Sequence, residues 1–177
     1  MDPIEIINKY YENGMPLRGI LLTHSLSVAN KSLEIIKIHP EWTIDKDFIY
    51  EAALLHDIGI FKTYAPSIHC FGKYPYICHG YLGAELLNEE GYRKHALVCE
   101  RHTGSGLTKE DVKLLPLPYK DMLPESLEEK LICFADKFYS KSNLNETKSI
   151  DQIRKNLSKY GEDSLTRFDD LVKLFLG

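Results

Sequence analysis

Two side chains of metal-ligand type, adjacent at the end of an apolar helical run, constrain this chain more than any other feature. In Glu51-Ala52-Ala53-Leu54-Leu55-His56-Asp57-Ile58-Gly59, the residues Ala52, Ala53 and Leu55 point to burial. Asp45 stands where an N-cap belongs, and Gly59 reads as a stop just past the last turn. His56 and Asp57 are therefore carried inward. An unpaired buried carboxylate costs on the order of several kcal/mol, comparable with the stability margin of a whole domain. A cation or a set of donors must face Asp57.

The 177 residues, 44% hydrophobic and 27% charged, suffice for one core, so a single domain over residues 1–177 is expected. The net charge of -4 provides no global basic field, which argues against long nucleic acid as a partner. No apolar run reaches membrane-spanning length, and Met1-Asp2-Pro3-Ile4-Glu5 lacks the basic and apolar parts of a signal peptide. The expectation is a cytoplasmic protein without a membrane partner. Cys70, Cys78, Cys99 and Cys133 form no C-x-x-C pair and read as reduced thiols, mostly in the core.

Asp2-Pro3-Ile4-Glu5 combines a cap, a first-turn proline and a third-position glutamate, opening a helix to about Asn13. From Leu17 to about Ile38 the positions Leu17, Ile20, Leu21, Val28, Ile35 and Ile36 recur at helical spacing, and His24 falls on that stripe. Trp42 anchors the turn after Pro40. Residues 60–78 show no period and read as a loop, with aromatics such as Phe61, Tyr64, Phe71, Tyr74 and Tyr76. Helices follow from His79 to Gly91 and from Tyr92 to about Thr103, each with a histidine at one end. Glu125 to Ser140 is amphipathic, with Asp136 on its inward side beside Ala135. Asn143 to Lys148 reads as a polar linker. Helices over about 150–160 and 164–176 have apolar faces that fit either a core or a homodimer surface. No strand is predicted, and the fold class expected is all-α.

The inward-placed polar residues are His24, His56, Asp57, His79, His102 and Asp136. Four imidazoles and two carboxylates suit Mn, Fe, Co, Ni or Zn better than Mg or Ca. Six such groups exceed what one four-coordinate ion needs, which points to one or two divalent transition metal ions. His39, His69 and His95 fall outside this order and read as surface residues.

Taken in order, His24, His56-Asp57-Ile58-Gly59, His79-Gly80, His102 and Ala135-Asp136-Lys137 resemble the HD-domain metal-dependent phosphohydrolases with an HDIG motif. The resemblance covers roughly residues 17 to 140, leaving 149–176 as packing helices. Among small members, the pattern is most similar to the diadenosine tetraphosphate hydrolases. It implies a helical bundle in which His24, His56, Asp57 and Asp136 hold one metal and His79 and His102 a second, with Asp57 between them. Asp57, His79 and His102 would then be the catalytic residues, acting on a small phosphorylated or nucleotide substrate. Lys62, Arg101 and Lys137 are the nearest cations in sequence and are candidates for substrate phosphates, although a solvated or structural role is the simpler reading of each. Two rivals stand beside the hydrolase: a di-iron oxygenase built on the same ligand types, and a metal-stabilised nucleotide-binding module without turnover.

Overall fold

The path of the chain is set by eight helices, all of whose residues fall within the 1–177 that the computed structural model describes. They are α1 (Pro3–Tyr10), α2 (Pro16–Ile38), α3 (Lys46–Leu55), α4 (His79–Glu89), α5 (Arg93–Arg101), α6 (Leu127–Asp136), α7 (Ile150–Leu157) and α8 (Glu162–Leu176). Their starts follow local chemistry. Asp2 caps α1 by accepting from the Ile4 N–H, Asp45 caps α3 through the Phe48 N–H, and Ser126 caps α6 through that of Glu129. A Ser149/Gln152 capping box opens α7.

Two apolar clusters divide the interior. One gathers the second half of α2 with α3, α6, α7 and α8, where Phe134 stacks on Phe168 and Phe175. The other joins α1, the first half of α2, the turn after α3, α4 and α5 around Ile7, Tyr11, Leu21, Leu55 and Leu87. His24 sits on α2 between Leu21 of one cluster and Val28 of the other. The apolar faces of α7 and α8 are spent on the first cluster through Ile153, Leu157, Phe168, Leu171 and Phe175. All four cysteines are buried and free.

Several expectations are corrected. The segment 60–78 is not an irregular loop: three 3-10 turns alternate with strands β1 (Thr63–Ala65), β2 (Cys70–Phe71) and β3 (Tyr74–Pro75). The sheet has the order β2-β1-β3, antiparallel at Tyr64–Phe71 and parallel at Thr63–Tyr74. Strands of two or three residues are too short to show an alternating pattern, which is why none was legible. His69 turns the chain between β1 and β2 with φ 60°. His95 is buried, not a surface residue, with Nε2 3.3 Å from Glu51. The helix expected to reach Ser140 ends at Asp136.

Gly59 also acts differently from the helix stop expected of it. Helix α3 ends at Leu55, and Gly59 has φ -81°, open to any residue. What requires glycine there is proximity: a Cβ would lie 2.3 Å from the His79 carbonyl oxygen and 2.4 Å from the Gly83 nitrogen. On the facing side, a Cβ on Gly83 would lie 2.4 Å from Cys99 Sγ. The turn bearing Asp57 is thus seated against the backbone of α4. Gly59→Ala is expected to cost about 1–3 kcal/mol or more in chemical denaturation, since backbone and not a pliable side chain stands in the way. Unchanged stability in that variant would refute the close-packing role.

Candidate metal centre

Helix ends converge on one buried point. His56 is the C-terminal cap residue of α3 with Asp57 next to it, His102 caps the C-terminus of α5, and Asp136 is the last residue of α6. His79 is the first residue of α4, and His24 projects from the middle of α2. Three helix C-termini, each with partial negative charge, favour a cation among them. The turn that follows α3 is held from behind: the Tyr11 hydroxyl donates to the Ile58 carbonyl at 2.7 Å, and the Cys99 thiol to that of His56 at 2.8 Å.

The cluster has two halves. His24 Nε2 lies 3.2 Å from Asp57 Oδ2 and 2.9 Å from Asp136 Oδ1, while His56 Nε2 lies 3.0 and 3.5 Å from the same two oxygens. The other Asp57 oxygen, Oδ1, is 3.4 Å from His79 Nε2 and 3.5 Å from His102 Nε2. One donor set is therefore His24, His56, Asp57 and Asp136, and a second is Asp57, His79 and His102.

The imidazoles are oriented by their own chain. Nδ1–H of His56, His79 and His102 donates to the carbonyls of Ala53, Tyr76 and Cys99, each three residues back and each at 2.7 Å. This fixes the tautomer and leaves the Nε2 lone pair aimed at the centre, as metal-ligating histidines require. His79 Nε2 and His102 Nε2 consequently face each other as acceptors 3.1 Å apart, beside Asp57 Oδ1. Three acceptors converge with no proton to share. His56 Nε2 and both oxygens of Asp57 are buried without an aligned hydrogen-bond partner. Such a set fits a divalent cation and little else.

Charge compensation follows the same logic. Burial opposes ionisation of Asp57, yet the positive charges at His56 and Lys141 outweigh it and hold its pKa well below the usual range. Asp136 behaves alike, with Lys137 as the strongest opposing influence. Burial pushes His56 down, but with no cation present Asp57 and Asp136 reverse this and hold it at about 9, so a divalent ion would take the Nε2 lone pair in place of a proton. His79 is driven by burial to about 3, and His102 is lowered for the same reason, so both rings are neutral at ordinary pH.

Of the cations named from sequence, only Lys137 is at the cluster, its Nζ 2.6 Å from Asp136 Oδ2 and 3.1 Å from the His102 carbonyl. Arg101 is engaged by Glu125 and Glu129 at 3.1 and 2.9 Å. Lys62 sits in the 3-10 turn Ile60–Lys62 and lines neither cavity beside the cluster. Sequence reasoning missed Lys141, whose Nζ forms an ion pair with Asp57 Oδ2 at 2.6 Å, and Tyr76, which stacks on His79 with ring centroids 4.7 Å apart. Both lie outside regular helix, where no periodicity marks a facing direction.

The HD domain model matches residues 21–140, a span holding all six donors. The chain belongs to the HD domain family. Among relatives of this HD protein, an uncharacterized protein of Methanocaldococcus jannaschii is 39% identical over 120 residues, 66% of this chain and 64% of that protein. A tRNA (cytidine(56)-2'-O)-methyltransferase of Picrophilus torridus is 36% identical over 107 residues, 60% of this chain but 28% of that protein. Its counterpart from Thermoplasma volcanium is 29% identical over 155 residues, covering 86% and 41%. The chain thus spans less than two thirds of the length of each of these relatives. No solved structure matches it significantly. No helix of the HD protein is long and apolar enough to cross a membrane.

Two donor sets with one shared residue predict separable losses. His102→Ala should keep the ion of the four-residue set while losing the second, read as metal per chain by elemental analysis; retention of two ions would refute the assignment. Saturating metal at about 100 times its dissociation constant should stabilise the fold by about 2.7 kcal/mol, seen as a rise in Tm that chelation reverses.

Proposed function

We propose that this HD domain hydrolyses a phosphate ester or phosphoanhydride bond in a nucleotide or another small phosphorylated compound, using water activated at a pair of divalent ions. The observation that carries this reading is the division of Asp57, with Oδ2 toward His24 and His56 and Oδ1 toward His79 and His102. Divalent ions held this way supply a water of lowered pKa and a clamp on phosphoryl oxygens.

The chain's own residues divide the work. His24, His56 and Asp57 form the closed side, buried and absent from the adjoining cavity wall. His79, His102 and Asp136 line that cavity and present the open side, where substrate and water have access. Tyr76, stacked against His79 and lining the same cavity, holds its ring in place. The Lys137 ammonium, at Asp136 and at the cavity wall, is placed to neutralise a substrate phosphate. The methyltransferase names of two relatives belong to proteins more than half of whose length has no counterpart here, and the proposal takes no chemistry from them.

The test is a phosphate-release panel of nucleotides, dinucleoside polyphosphates and sugar phosphates run with Mn, Fe, Co, Ni and Mg. Asp57→Asn should lose metal and fall by more than about 100-fold in turnover, because even outer partners of metal ligands are worth 10–100-fold. Parental turnover in that variant would remove the mechanism. Oxygen uptake by an iron-loaded protein without phosphate release would favour an oxygenase, and saturable nucleotide binding without turnover a binding module.

A further inference from the structure

Beside the metal centre, on the side of α7, lies a chamber of about 350 Å³ with Lys137, Lys141 and Lys148 in its walls. All three lysines, together with Asp136, also line the cavity that opens onto His79 and His102, so the chamber and the metal centre share a boundary. Neutral donors complete the wall: Ser140, Ser142 and Asn156. The segment carrying Lys141 and Lys148 follows α6 and is pinned by the Lys148 N–H donating to the Phe138 carbonyl at 2.8 Å.

The charges here do not close. Lys141 and Lys137 are paired, but with Asp57 Oδ2 and an Asp136 oxygen, the carboxylates that divalent ions would engage. Lys148 is half-buried and its Nζ reaches only the Tyr139 carbonyl, at 3.3 Å, with no carboxylate in ion-pair contact. Burial lowers its pKa, and the other two ammonium groups push in the same direction against Asp136. Three ammonium groups and any divalent ion bound at the donors thus share two carboxylates, and the wall carries an excess of positive charge. A single phosphate held at the ligands leaves Lys148 and the wall around it without an anionic partner.

We propose that the lysine chamber is a binding subsite for the phosphate groups next to the scissile one, so that the substrate carries at least two linked phosphates, as in a nucleoside di- or triphosphate. This rests on the hydrolase reading of the metal centre. Lys141 and Lys148 stand on the segment after α6, beyond the span that the family model matches. Ammonium groups act there as point charges that accommodate a flexible phosphate chain without demanding one orientation.

The experiment compares inorganic phosphate with tripolyphosphate by calorimetry on the full chain, metal-loaded and metal-free, for the parent, Lys148→Gln and Lys148→Glu. The parent should bind tripolyphosphate at least tenfold tighter than phosphate. Lys148→Gln should lose about tenfold of the tripolyphosphate affinity and Lys148→Glu more, while metal per chain and Tm stay at parental values. With a nucleoside triphosphate as substrate, KM should rise more than kcat falls. Equal affinity for the two anions in the parent, or tripolyphosphate binding indifferent to both substitutions, overturns the subsite. Failure of the hydrolase reading gives a different result, namely no phosphate release by metal-loaded parent from any substrate.

Discussion

The fold is arranged around the burial of one carboxylate. Asp57 is completely enclosed, and neither of its oxygens has an aligned hydrogen-bond donor. A charge in that position is tolerable only if the surroundings are built to meet it. Four imidazoles and an ammonium group supplied by Lys141 surround it, drawn from segments 117 residues apart at their extremes, His24 and Lys141. Long-range packing of α2, α3, α4, α5 and α6 is therefore the means by which a single side chain is accommodated.

Where those helices stop matters as much as where they pack. Apart from His24, each donor stands at or next to a helix terminus, so it is placed by a backbone turn instead of by a long helical face. The closeness of Gly59 to α4 then fixes how far the turn carrying Asp57 stands from the one carrying His79. His24 is the exception because α2 crosses from one apolar cluster to the other, and the polar centre occupies the seam between them.

Much of this was legible in the sequence for physical reasons. A 23-residue helix repeats its apolar stripe often enough to fix the facing direction of His24. Proline, glycine and capping residues marked most helix ends to within a few positions. The little sheet at 63–75 was illegible because its strands are shorter than one full period of alternation. Lys141 and Lys148 were illegible because the chain leaves the helix at Asp136, and beyond that point spacing carries no information about direction. His95 was misread because a histidine outside the motif order gives no sign that Glu51, far away in sequence, will cover it.

Three of the four imidazoles hang from a carbonyl only three residues behind them. Their aim is consequently written into short stretches of chain and does not wait for the tertiary structure to assemble. In partly unfolded protein, each of these rings keeps its tautomer and its bearing for as long as its own turn survives. Loss of the centre during denaturation would then report the separation of whole segments from one another and not the melting of any one of them.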